Sequence, residues 1–348
     1  MWKIKIIKDW REIWADEFQT KWNKLLITST TSHVFFHPIV AKVWIDTYLP
    51  LRKMEPIFIW GEKDDNIAFL PLVLWHKNWK NAFWKSIIPV GYSDYDYHNP
   101  LFLNEVSREE LVSFWSEVSE LLMEFGADEI CIDGITDSCS LSDDGWEQGE
   151  ICPSLNISEM NGETDLMSFF GTKLRGDIRR QIRRLNELAP LEFKQYASSM
   201  DVSSEVFDAF MEAHHKKWPN AYKAPGFHQN LVNKCSLDGP IHFSTLNVGE
   251  TVVAWHLGFD FNSIYYYYMP AGNPDYLKSS PVKVHLYYLI CRAIERGYTK
   301  YDHLRGDETY KSGWADGSQY VHTLQQVLNS SSTKVKESVL RIKNIIKK

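Results

Sequence analysis

Asp302, Arg305, Asp307, Glu308, Tyr310 and Lys311 fall within ten positions of one another late in the sequence. Asp307 or Glu308 could take a proton from an amine or a hydroxyl, or hold an imidazolium, which is the work of a general base. Arg305 and Lys311 suit pairing with those carboxylates or with a substrate phosphate. The set lies after a strand-like run, Thr299 to Arg305, is broken from it by Gly306, and is closed by Trp314. A strand that ends in charges delivers them to a cleft, because its core-facing half is fixed and its end reaches solvent, or else closes them into a salt-bridged loop.

Two further groups could join that chemistry. His256 stands in the run Val252 to Phe259, where Ala254, His256 and Gly258 share one face of a strand; the small neighbours leave room for a ligand, and a satisfied core histidine is the other reading. Arg175, Arg179, Arg180, Arg183 and Arg184 crowd one helical segment. Guanidiniums on one face of a helix can meet a pyrophosphate, or form a solvated face. Tyr265 to Tyr268 alternate on a strand, with core packing and stacking against a sugar both open to them.

These groups need elements to hold them. Apolar periodicity predicts helices over Trp10 to Leu26 and Pro38 to Tyr48, then a hairpin made by Pro56 to Gly61 and Ile67 to Leu74. A short strand, Ile87 to Gly91, precedes a polar aromatic loop, Tyr92 to Pro100, which is read as the mirrored side of the cleft. Ser107 and Glu110 have capping-box spacing and open a helix to Phe125, followed by a strand, Glu129 to Ile135. The second half repeats the order: helices over Asp165 to Leu188 and Ser203 to Trp218, a hairpin around Gly249 and Glu250, a strand Ile264 to Met269, a helix from Pro281 to Arg296, and the strand from Thr299. The chain therefore reads as a structural duplication. Its domains are 1–150 and 151–328, with the boundary where Ser, Asp, Gly and Pro concentrate (Asp143 to Asn161), and 329–348 forms a linker and a basic amphipathic helix. Val335, Val339, Ile342, Ile345 and Ile346 share a face of that tail, which suits docking on the body or contact with an anionic membrane surface.

Composition narrows the classes. A net charge of −7 argues against general binding to DNA. The five cysteines form no metal-type spacing and no CxxC pair, so no metal is expected and a reducing, cytoplasmic setting is. No uncharged apolar run is long enough to span a membrane.

Cys152 to Leu155, Lys173 to Arg180 with Arg183 and Arg184, His214 to Trp218, Asp275 and Tyr276 with Ser280 and Pro281, and Asp302 to Lys311 together resemble the signposts of one acetyltransferase family. It is the CelD/BcsL-type GNAT family of cellulose and exopolysaccharide biosynthesis, related to the Fem aminoacyltransferases, and the match runs to about Leu328. The resemblance implies an α/β fold of two tandem GNAT-like domains, each a mixed sheet flanked by helices. It also implies acetyl-coenzyme A or another acyl-coenzyme A as co-substrate, and transfer to an amine or hydroxyl of a sugar or nucleotide-sugar precursor.

In that frame His256, Asp307 and Tyr310 are the expected catalytic residues, with Tyr310 protonating the departing thiolate. Arg175, Arg179, Trp218, Asp302, Arg305, Glu308 and Lys311 are expected at the acceptor, and Tyr268, Lys278, Ser279, Ser280, Val282 and Lys283 at the coenzyme. The resemblance departs at Leu277 to Val284, which lacks the glycines such enzymes usually place around the phosphates. Lys278, Ser279, Ser280 and Lys283 could offset part of that loss with charge and hydroxyl donors. Two other readings stay open: a Fem-like transferase using aminoacyl-tRNA, and a non-catalytic subunit of polysaccharide assembly.

Overall fold

The computed structural model describes residues 1–76, 84–141 and 145–329. The basic tail, Lys334 to Lys348, lies outside the described residues. The chain divides into two compact units, one of Met1–Glu150 with the chain from Tyr320, the other of Ile151–Gln319.

The first unit uses β1 (Lys3–Ile7), α1 (Trp10–Ile13), α2 (Asp16–Thr28), α3 (Pro38–Tyr48), β2 (Met54–Lys63), β3 (Asn66–His76), β4 (Lys85–Pro89), β5 (Leu101–Phe102), α4 (Arg108–Met123) and β6 (Glu129–Thr136). Its strands lie in the order β1-β2-β3-β4-β6, and β6 pairs on its far side with β13 (Gly317–Val327), the last strand among the described residues. All these neighbours are antiparallel except β4 and β6, which the helix α4 joins in parallel. The β2–β3 turn has Asp64 at φ 51, a left-handed position that a short acidic side chain tolerates.

The second unit contains β7 (Trp146–Asn156), α5 (Glu163–Phe169), α6 (Thr172–Asn186), β8 (Leu191–Gln195), α7 (Ser204–Lys217), α8 (Phe227–Val232), β9 (Ile241–Val248), β10 (Thr251–Phe261), β11 (Ile264–Gly272), α9 (Pro281–Glu295) and β12 (Lys300–Asp302). Its order is β8-β9-β10-β11-β12-β7, again antiparallel apart from one pair, β11 and β12, which α9 connects. Each unit is thus a mixed sheet with helices on it, and each has one parallel pair bridged by one helix.

Core packing explains the layering of the second unit. Tyr265, Tyr267 and Tyr301 turn one face of the sheet toward Ile178 of α6 and toward Leu286, Leu289 and Ile290 of α9. Burying each such side chain contributes about 1.5–3 kcal/mol. Phe170 joins this core edge-on to Trp314, with ring centroids 4.8 Å apart.

That contact corrects one expectation. The helix predicted over Asp165 to Leu188 is broken into α5 and α6, because Phe170 turns extended to bury its ring and Gly171 starts the next helix. The predicted strand from Thr299 is likewise shorter, ending at Asp302, since Leu304 turns left-handed at φ 59. The two units divide after Glu150, within β7, whose Ser154, Leu155 and Asn156 pair with β12.

Candidate active site

The site forms where the parallel pair of the second unit separates. Leu257 pairs with Met269 and Phe259 with Tyr266, so Tyr267 and Tyr268 together face Gly258. This is a β-bulge, which re-aims a strand and its amides. Gly258 makes it possible: a Cβ there would stand 2.3 Å from His256 Cε1 and 3.0 Å from both Tyr265 Oη and the Tyr266 carbonyl oxygen. On its other edge β11 pairs with β12 only as far as Tyr266 with Asp302. Past that point β11 continues to Gly272, while β12 ends and the chain turns away.

The chain then leads from β11 through a 3-10 turn, Pro274–Ser279, into α9. Ser280 takes the left-handed conformation (φ 46, ψ 52), and α9 begins with no side-chain cap and no acidic residue in its first turn. A non-glycine residue in that conformation costs about 1–2 kcal/mol and is tolerated where the surroundings enforce it. An uncapped helix start directs backbone N–H groups and a partial positive charge outward. Val282 packs back against β11, where a Cβ on Gly272 would stand 2.6 Å from Val282 Cγ2. The glycine missing from the loop is thus answered by one on the strand beside it.

The loop after β12 supplies the ionisable groups. Asp302 is buried, accepting from the Leu304 N–H at 2.8 Å and pairing with Lys300 at 3.2 Å. His303 Nε2 bonds to the Trp314 carbonyl oxygen at 3.0 Å, and burial holds His303 down at about 4. Asp307, Glu308, Lys311, Ser312 and Asp316 line a pocket of about 370 Å³ whose wall includes Pro153. Tyr310, in the same loop, is 39% exposed, its phenol pushed up by burial and then by Glu308. The bulge residue Tyr267 is raised well above the ordinary range, by burial first and then by Tyr310, Tyr265 and Glu308. Tyr310 and Glu308 are therefore within electrostatic reach of the bulge.

Residues 172–312 match the family model described as an acetyltransferase (GNAT) domain. The chain carries a GNAT-type acetyltransferase domain, and it is an acyltransferase. Among solved structures it is similar to FemX, with a TM-score of 0.63 at 11% identity over 91% of this chain and 98% of that one. It is also similar to a conserved protein of unknown function from Bacteroides thetaiotaomicron VPI-5482 (TM-score 0.57, 11% identity, 92% and 100% covered). A third is the C-terminal (DUF2156) domain of a putative lysylphosphatidylglycerol synthetase from Agrobacterium fabrum (TM-score 0.55, 10% identity, 93% and 96% covered). These likenesses are of fold. No curated protein matches the sequence.

Within the GNAT-type domain, the residues singled out in the sequence fall into distinct places. Asp302, Arg305, Asp307, Glu308, Tyr310 and Lys311 come together around the loop after β12. Tyr268 lies in the bulge with its ring against Phe259, centroids 5.0 Å apart. Ser279 and Ser280 are half-buried at the start of α9, and Lys278 is exposed beside them. Lys283 is spoken for, since it pairs with Asp177 of α6, as does Arg180. Burial works against the Asp177 carboxylate, but hydrogen bonds from Lys283 and Gln181 hold it below the ordinary range.

His256 is fully buried at 0% exposure, with Nδ1 bonded to Tyr265 Oη at 3.2 Å and its ring stacked on Tyr267 at 4.6 Å. Burial drives it well below the ordinary histidine range, aided by His285 and His242. It sits behind the bulge rather than in the pocket. Arg175 is half-buried and Arg179 exposed on α6. Trp218 ends α7, 42% exposed, with Lys217 over its ring at 5.3 Å. Gly272 and Asp316 carry no recognisable signal along the chain; only the close approach and the pocket reveal them.

The first unit has the same strand–helix–strand arrangement but not the same site. There α4 is closed by a reciprocal capping box between Ser107 and Glu110, with Glu109 and Glu110 in its first turn. That end satisfies its own amides and repels an anion. Beyond the short β4–β6 pairing, the loop read as the mirrored cleft wall folds back on β6. The His98 N–H bonds to the Gly134 carbonyl oxygen at 2.8 Å, and Asn99 Oδ1 accepts from the Thr136 N–H at 2.8 Å. Asn99 Nδ2 donates to Thr136 Oγ1 at 2.9 Å.

Among the described residues no group of His, Cys, Asp and Glu could hold a metal ion. Among them, too, no helix is long and apolar enough to cross a membrane.

Proposed function

We propose that the GNAT-type domain moves an acetyl or other short acyl group from coenzyme A to an amine or hydroxyl of a sugar or nucleotide-sugar precursor, as the likeness to the CelD/BcsL type implies. The observation that carries this reading is the separation of β11 from β12 beside an uncapped, acid-free start of α9. In this reading the Val282 backbone N–H, the hydroxyls of Ser279 and Ser280, and Lys278 hold the diphosphate, and the donor's acyl end reaches the Tyr267–Tyr268 bulge. A bulge amide facing the carbonyl oxygen stabilises its developing charge.

A sugar suits the pocket because Asp307, Ser312, Asp316 and Ser318 offer it hydroxyl and carboxylate partners. Glu308 and Asp307 are the two carboxylates available to the acceptor's proton. The raised phenol of Tyr310 stays protonated at neutral pH and can give its proton to the departing thiolate. All five cysteines are free, which accords with a cytoplasmic setting.

The test is a melting shift with acetyl-coenzyme A and with coenzyme A at millimolar concentration, followed by thiol release with glucosamine and with UDP-glucosamine as acceptors. A ligand present at a hundred times its Kd stabilises by about 2.7 kcal/mol, enough to read. Absence of any shift with either nucleotide would sink the reading.

A second reading, aminoacyl transfer from a charged tRNA, is favoured by one observation. Lys283 is already paired with Asp177, which leaves the start of α9 with less charge for a diphosphate. A melting shift with aminoacyl-tRNA and none with coenzyme A would select it. The net charge of −7 weighs the other way.

A further inference from the structure

Lys311 lies at the floor of the pocket with its side chain 4% exposed. A buried ammonium is costly unless its donors are met. Its Nζ donates to the Arg305 carbonyl oxygen at 2.6 Å and to the Leu304 carbonyl oxygen at 3.4 Å, and pairs with Glu308 Oε2 at 2.9 Å. The two carbonyl oxygens take hydrogen bonds from the ammonium, and the Glu308 carboxylate balances its charge as an ion pair.

The backbone is shaped for this closure. Leu304 is left-handed at φ 59, and Gly306 stands at φ 122. A Cβ on Gly306 would lie 2.3 Å from Glu308 Oε2 and 3.1 Å from Lys311 Nζ, so only glycine lets the pair cross the loop. The ends are pinned as well, by the His303 bond to the Trp314 carbonyl oxygen and by the Gly306 N–H on the Ile151 carbonyl oxygen at 2.9 Å. What this closed loop orients is one carboxylate. Glu308 acts electrostatically on Tyr267 at the bulge, on Tyr310 and on His303.

We propose that Lys311 binds no substrate and is a positioning residue for Glu308, whose other carboxylate oxygen takes the acceptor's proton. This rests on the acyl-transfer reading above. In the step, the acceptor's nitrogen or oxygen bonds to the acyl carbon and the carbon–sulfur bond breaks. The acceptor's proton passes to Glu308, and the thiolate takes one from Tyr310. Asp307, exposed at the rim of the same pocket, then serves to hold the acceptor.

The experiment is a double-mutant cycle on Lys311→Met and Glu308→Gln, reading thiol release from acetyl-coenzyme A with glucosamine. Each single variant should lose about 100-fold or more in kcat, with KM for acetyl-coenzyme A within about three-fold, as expected for a group that acts after donor binding. The double variant should be no slower than Glu308→Gln alone, because Lys311 acts through Glu308. Additive losses, or a Lys311→Met variant that raises only the acceptor KM, would overturn the proposal.

Tryptic cleavage after Arg305 supplies a readout independent of turnover. Lys311→Met should be cut there about ten-fold faster than the wild type, as a loop released from its closure opens more often. An unchanged cleavage rate refutes the closure. Wild-type protein with neither thiol release nor a coenzyme A melting shift refutes the acyl-transfer reading, and with it the role given to Glu308.

Discussion

Val282 and Gly272 meet at the point where α9 begins, the valine methyl occupying the space a side chain on residue 272 would need. The pair places the start of the helix hard against the end of β11. It also explains how a loop without glycine keeps its backbone near the parted strands. Gly272→Ala should push the helix start away and weaken coenzyme A binding about ten-fold, read as a smaller melting shift at fixed ligand concentration. Adding Val282→Ala should restore much of the shift, because it empties the space the new methyl requires. Equal loss in the single and double variants would refute the steric account.

Asp307 and Glu308 are adjacent in sequence but differently held. Asp307 is exposed and has no ion pair among the described residues, whereas Glu308 is tied to Lys311. Asp307→Asn should therefore leave the unfolding midpoint unchanged and raise the acceptor KM several-fold, with kcat within about three-fold, as for loss of uniform binding. Steady-state kinetics with glucosamine alongside thermal unfolding checks both halves.

Buried histidines give the protein a directional response to pH. Burial holds His33, His214 and His285 at about 3 and His228 and His303 at about 4. Their unfolded values lie near 6.5, so the unfolded chain takes up protons first as the solution is acidified. Stability should be full above about pH 6.5 and fall between there and pH 4, by about 1.4 kcal/mol per pH unit for each such histidine. Denaturant midpoints at pH 7, 6 and 5 measure the slope. His285→Gln can keep the bond that His285 Nε2 makes to Ser244 Oγ at 3.1 Å, and should make the slope shallower by one histidine's share.

Only the second unit should bind donor. In the first, Asn99 and His98 occupy the edge of β6 and α4 caps itself. Calorimetric titration with coenzyme A should give one site per chain. Asn99→Ala should leave that stoichiometry alone while costing about 1–3 kcal/mol in unfolding, since the buried Thr136 N–H loses its acceptor. Two sites per chain would show that the self-closed loop opens.

Much of the site was legible because its residues are close in sequence. The run from Asp302 to Lys311 is one loop, and a loop's ionisable content can be read directly. The capping box of α4 and the hairpin turns were legible for the same reason, as local hydrogen bonding decides them. His256 shows the limit. A core histidine and a ligand-facing one read alike along a strand, and only packing places its ring and Tyr265 Oη in the space beside Gly258. The strands β7 and β13 escaped notice because their partners lie far away in sequence and their own patterns are polar.

The sequence by itself determined the repeated element order, the cluster of carboxylates, phenol and cations after a strand, and the GNAT-type domain. These follow from composition and short-range spacing. Tertiary structure alone decided that Lys311 points inward onto its own loop, that Lys283 is taken by Asp177, and that the bulge at Gly258 faces Tyr267 and Tyr268. Each depends on a contact between segments whose approach is set by core packing, and no pattern along the chain encodes it.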